Sequence, residues 1–168
     1  MGRGKGIGGH QNPNRGDTDV WLTPPEMVEA LGPFGLDPCC PSEMPWRTAS
    51  VMVSLPTDGL SLDWSCYGLT FMNPPYGPET GRRLEKMAGH GNGIALVFAR
   101  TETKMFHEWA WRRASSMLFL EGRIHFHRPD GTRAPFNAGA PSVLVGYGEE
   151  ATMRLGFSGL AGKMVNLK

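Results

Sequence analysis

Residues 93 to 99, Gly-Ile-Ala-Leu-Val-Phe-Ala, leave this chain little freedom in how it folds. A run without a polar side chain predicts a strand covered on both faces, and such strands belong to sheets flanked by helices. The neighbouring segments fit the same plan. Phe34 to Pro38, Ala49 to Leu55 and Leu69 to Met72 are short apolar runs that predict three earlier strands. Helical patterns lie at Thr80 to Ala88 and at Thr103 to Ala114, where Met105, Phe106, Trp109 and Ala110 make an apolar stripe. A first helix is expected with Thr23 as N-cap, Pro24 in its first position and Glu26 completing a capping box, ending near Leu31 before Gly32-Pro33. Strands alternating with helices predict an α/β fold with a mostly parallel sheet and helices on both faces.

After Ser115 the texture changes. Met117 to Leu120, Arg123 to His127 and Ser142 to Tyr147 predict strands joined through the turn segment Pro129-Asp130-Gly131-Thr132, so the sheet is expected to end in antiparallel strands. Residues 1 to 16 read as a flexible, basic, glycine-rich arm with Arg3, Lys5 and Arg15. Residues 17 to 148 form the single expected domain, and residues 149 to 168 a tail with one short helix. The net charge of +1 gives no global attraction for nucleic acid, so local clusters have to supply it. Three cysteines (Cys39, Cys40, Cys66) lack Cys-x-x-Cys spacing and an even count, which fits a reducing cytoplasm rather than a disulfide framework. The longest strongly apolar stretch is too short for a bilayer, and a soluble protein that is not exported is expected.

The chemistry concentrates in Asn73-Pro74-Pro75-Tyr76, which a strand would deliver to a loop at its carboxyl end, where open α/β sheets bind ligands. Asn73 offers an amide oxygen. Pro74 has no N–H, so its peptide presents only a carbonyl, and Pro75 holds Pro74 extended. Two acceptors then converge beside the aromatic face of Tyr76. A flat base with an exocyclic amine fits: the ring stacks on Tyr76 and the amine donates to both oxygens. Such an amine is a poor nucleophile because its lone pair is delocalised. Accepting its protons favours a pyramidal nitrogen able to attack a methyl sulfonium in line.

Asp37, after the first strand, and Asp58, in Asp58-Gly59-Leu60, are expected to face the same crevice and to accept from ribose hydroxyls, an adenine amine or an α-ammonium. For Asp58 an ordinary Asp-Gly turn is the competing reading. Pro38-Cys39 resembles the nucleophile pair of cytosine carbon-5 methyltransferases, but those lack the tetrad, and Cys39 and Cys40 read as small buried residues. His125 and His127 alternate on a strand, yet two histidines without a third ligand do not make a metal site. With Arg123, Arg128 and Arg133 they suggest a basic hairpin facing a phosphate backbone, and Arg82 and Arg83 after the tetrad would widen that surface. Interspersed acids allow the alternative of a merely solvated face.

Assembled, these segments resemble the phage-type DNA N6-adenine methyltransferase family. The resemblance rests on Trp21-Leu22-Thr23-Pro24, Leu36-Asp37-Pro38-Cys39, Asp58-Gly59-Leu60 with Trp64, Asn73-Pro74-Pro75-Tyr76-Gly77, Ala99-Arg100-Thr101-Glu102-Thr103 and Phe119-Leu120-Glu121-Gly122-Arg123-Ile124, spanning about residues 21 to 148. It implies a Rossmann-like class I methyltransferase fold that binds S-adenosylmethionine through Thr23, Asp37, Asp58 and Asn73. It also implies DNA as partner, an adenine held by Asn73, Pro74, Pro75 and Tyr76, and location in the cytoplasm of a bacterial host. The chain departs from the pattern where Pro38-Cys39-Cys40-Pro41-Ser42 replaces the glycine-rich turn after the first strand. Cytosine N4-methylation uses the same tetrad, as does glutamine-amide methylation of proteins, and a catalytically inactive nucleic-acid-binding module is the reading from another class.

Overall fold

The computed structural model describes residues 20–168; the basic arm proposed for residues 1 to 16 lies outside them. One seven-stranded sheet organises the chain, in the order β2-β1-β3-β4-β6-β5-β7. The strands are β1 (Leu36–Asp37), β2 (Val51–Met52), β3 (Thr70–Met72), β4 (Gly93–Phe98), β5 (Ser116–Leu120), β6 (Ser142–Tyr147) and β7 (Gly162–Asn166). The helices are α1 (Pro25–Leu31), α2 (Glu79–His90) and α3 (Glu149–Phe157), and a π-helical turn spans Phe106–Trp111.

The sheet is mixed, which corrects the expectation of a mostly parallel one. β1 pairs in parallel with β2 and β3, and β3 with β4, while β4–β6, β5–β6 and β5–β7 are antiparallel. The reason lies in strand length. The apolar runs at residues 34–38 and 49–55 give only two paired residues each, so most of the ladder lies in the antiparallel part. The C-terminal tail is also better ordered than expected: after α3 it returns as β7 and pairs with β5 from Ser116↔Asn166 to Leu120↔Gly162.

Alternation along β4 divides the core. Ile94 and Leu96 join a cluster with Met27, Val28 and Leu31 of α1 and Ala151 and Leu155 of α3. Ala95 and Val97 face a second cluster with Leu84 and Met87 of α2 and with Phe106 and Ala110 of the π-helical turn. Both faces of the sheet therefore carry helices. Burying both faces of a strand requires apolar residues at odd and even positions alike, as β4 and β6 have.

Three local expectations need correction. Thr23 does not cap α1; the N-cap is Pro24, whose carbonyl accepts from the Met27 and Val28 amides, and no side chain caps this end. Pro25 needs no amide partner in the first turn, so the helix starts without a capping box. The helix expected over 103–114 is wound as a π-helix from Phe106, which brings Trp111 edge-on to Phe106 at 5.5 Å. Arg123 to His127 is not a strand. The segment keeps the alternation, with Ile124 and Phe126 buried, but makes only isolated bridges, Leu22↔His127 and His127↔Arg133.

Candidate active site

The order of the strands fixes where a ligand can enter. From β1 the chain moves to β2 on one side, then crosses back to β3 on the other, so the topology switches between β1 and β3. Loops leaving adjacent strands at such a point diverge and leave a crevice at their carboxyl ends. A cavity of about 340 Å³ lies there, lined among others by Thr23, Asp37, Cys39, Asn73, Pro74, Tyr76 and Arg83. That volume falls within the range of about 300–1,000 Å³ usual for small-molecule sites.

Asp37 ends β1 and is buried. Its carboxylate accepts from Thr48 Oγ1 at 2.5 Å and from the Cys39 amide at 3.1 Å. Burial dominates over these two donors and lifts the carboxyl from its ordinary 3.8 to about 6. Burial first, then the Asp37 charge, pushes the Cys39 thiol well above its usual range. A thiol favoured in its protonated form fits the reading of Cys39 as a small packed residue rather than a nucleophile. The turn that stands where a glycine-rich loop was expected thus spends the Cys39 amide on Asp37.

Asn73 follows β3 directly. Its Nδ2 donates to the Trp21 carbonyl at 3.1 Å, which fixes the amide so that Oδ1 points the other way. That Oδ1 is buried and has no hydrogen-bond partner among the described residues. A buried acceptor without a donor costs about 1–3 kcal/mol, and native proteins rarely keep one without a reason. Pro75 is differently placed: its carbonyl accepts from Thr80 Oγ1 at 2.8 Å, and the same hydroxyl accepts from the Gly77 amide at 3.1 Å. Thr80 therefore ties the loop to the first turn of α2. Tyr76 stacks on Phe98, with ring centroids 4.1 Å apart and planes at 6°. The residue remains 38% exposed and belongs to the cavity wall.

Of the four residues expected to hold the cofactor, Thr23, Asp37 and Asn73 come together around the cavity. Asp58 does not line it, although its neighbours Thr57 and Gly59 do. Its carboxylate accepts from the Leu60 amide at 3.0 Å and caps the short 3₁₀ turn at Gly59–Ser61, as the turn reading anticipated. Only a hydrogen fits on Gly59, because a Cβ there would meet the Pro38 carbonyl. This close approach sets the Asp58 loop against the end of β1.

The basic residues do not form one surface. Ile124 and Phe126 pack on the α1 face of the sheet, whereas α2, which carries Arg82 and Arg83, packs on the other. Arg123, His125 and Arg133 line a separate groove of about 260 Å³ that also contains Glu26 and Glu121. Arg82 is exposed and pairs with Glu79 at 3.0 Å. Arg128 is half-buried. Arg83 turns inward instead, its side chain only 13% exposed.

Thr48 escaped sequence reasoning, and Trp21, Thr80 and Phe98 were placed in their segments without a role at the site. The register Met72↔Ala95, continued past the ladder, sets the last residue of β4 beside the loop after β3.

The fold is α/β, with a cavity at its switch point, where open α/β sheets bind ligands, and Asn73 among the lining residues. The family model described as DNA N-6-adenine-methyltransferase (Dam) matches residues 10–155, and the chain belongs to that family. Its members transfer methyl groups from S-adenosylmethionine to N6 of adenine in DNA, and this chain is such an enzyme. No curated protein and no solved structure matches it. No helix among the described residues is long and apolar enough to cross a membrane.

Proposed function

We propose that the amine of an adenine turned out of the DNA helix is received by Asn73 Oδ1 and the Pro74 carbonyl, against the face of Tyr76. The observation that carries this reading is the orphaned Asn73 oxygen. An exocyclic amine brings the donor it lacks, and the bond strengthens as the amine nitrogen gains positive charge. No group among the described residues donates to the Pro74 carbonyl, which leaves it open as the second acceptor. Phe98 braces Tyr76 from behind, so a base adds to an existing stack rather than ordering a free side chain.

The cavity suits the cofactor in size and in its polar groups. When bound, S-adenosylmethionine supplies an electrophilic methyl group. Asp37 takes a cationic or hydroxyl donor at the end of β1, and Thr23, free of any capping role, lines the same cavity. Asp58 acts from the rim. In this reading β1 to β4 with their helices are a Rossmann-like class I methyltransferase core, and the antiparallel strands are its extension. Contact with DNA falls to two basic groups on opposite faces of the sheet: Arg82 on α2, and Arg123, His125, Arg128 and Arg133 on the irregular hairpin. The enzyme works in the cytoplasm of a bacterial host.

Nucleoside mass spectrometry of unmethylated DNA, incubated with the protein and S-adenosylmethionine, tests the assignment. N6-methyladenine is expected, and its initial rate of formation should fall by roughly a hundredfold or more with Asn73→Ala. N4-methylcytosine alone would keep the amine chemistry and overturn the base.

A further inference from the structure

Arg83, expected on the DNA surface beside Arg82, is instead turned inward. It stands on α2 one turn after Thr80, with its side chain 13% exposed, among the residues that line the cavity. Nε and Nη1 are buried and have no hydrogen-bond partner among the described residues. Nη2 lies 3.8 Å from Asp58 Oδ1, beyond hydrogen-bond range, and that oxygen already accepts from the Leu60 amide. Asp58 therefore pairs with the guanidinium by charge alone, through a half-exposed carboxylate, and the Nε and Nη1 donors stay open. A buried cation with open donors is costly unless further acceptors complete it.

We propose that Arg83 is the anion anchor of the cavity and that it holds the α-carboxylate at the methionine end of the cofactor. This rests on the methyltransferase reading of the site. Two observations favour a carboxylate on a small ligand over a DNA phosphate. The guanidinium is withdrawn from the surface, where a phosphodiester backbone would run. Asp37, which lines the same cavity, offers the complementary anion for an α-ammonium, so the two side chains together suit a zwitterion. The assignment also explains how the chain manages without a glycine-rich turn. Backbone amides normally supply the positive potential there, but the Cys39 amide is taken by Asp37. A planar, permanently charged side chain from α2 replaces them.

Calorimetric titration of the whole protein with S-adenosylhomocysteine and with its decarboxylated analogue tests this without turnover. The parent is expected to prefer the carboxylate-bearing ligand by about 10- to 100-fold. In Arg83→Met, checked for an unchanged thermal midpoint, that preference should collapse because only the carboxylate-bearing ligand weakens. Arg83→Lys should recover part of it. Equal affinity of the parent for the two ligands overturns the anchor while leaving the methyltransferase reading intact, and needs no variant to fold. Unchanged ligand affinities in Arg83→Met, with weaker binding to a DNA duplex, would assign the guanidinium to a phosphate and overturn the proposal. A parent that binds neither ligand would remove the reading beneath it as well.

Discussion

On one side of β4 the ladders pair one to three residues; on the other they pair four to six. The two regions spend their chain differently. Between Leu36 and Met72 most residues lie in loops, and these loops supply Thr48 and the wall at residues 38–42 beside Asp37 at the end of β1. Between Ser116 and Asn166 the chain forms long strands, and β6 is buried at every position. The parallel part is a scaffold for an opening, whereas the antiparallel part is a core. Functional groups can be placed in the first because the second stabilises the fold independently of them.

If that division holds, substitutions should separate activity from stability. Asn73→Ala is expected to lower kcat by roughly a hundredfold to a thousandfold, since it removes an acceptor aimed at developing charge. Its thermal midpoint should stay near the parent value; a large drop would show that the loop is structural. Leu144→Ala should do the reverse. The side chain is fully buried in the core cluster beside α1 and α3, and its loss should cost about 2–5 kcal/mol in urea unfolding. Methylation rates well below the unfolding transition should barely change.

Asp37 sharpens the comparison through pH. Burial raises its carboxyl from 3.8 to about 6, so the folded chain keeps a proton that the unfolded chain releases. Stability should therefore fall as pH rises from about 4 to about 6, by about 3 kcal/mol, and Asp37→Asn should flatten that slope. Cofactor affinity, which needs the carboxylate, should run the opposite way and weaken as pH drops below about 6. A pH-independent affinity would place Asp37 outside the binding chemistry. Tyr76→Ala should cost about 1–3 kcal/mol in binding of a flipped base, measured with a duplex carrying a mismatch at the target, and Tyr76→Phe should retain it. Smallest of all, Arg82→Ala should change stability by less than about 1 kcal/mol, as its ion pair with Glu79 is exposed on both sides.

The sequence announced the site more clearly than the sheet around it. Asn73 to Tyr76 was legible because proline removes donors and sets backbone direction locally, without help from tertiary structure. β4 and β6 were legible for a similar reason, as continuous apolar runs have few alternatives. The extents of β1 and β2 were not, since residues that only fill the core also score as strand formers. β7 was hidden because its exposure pattern resembles a tail; pairing with β5 orders it. Arg83 read as a surface charge because sequence gives the helix but not the face on which a long side chain folds back.

Thr80 and Arg83 occupy one turn of α2, the first holding the loop around Pro75 and the second facing the cavity. Base clamp and cavity floor are thus machined from a single part, and neither can be re-cut without disturbing the other. The Trp21 carbonyl holds Asn73 and the hairpin hangs from Leu22 next to it, so anyone retargeting this enzyme to another base would have to keep that segment in place as well.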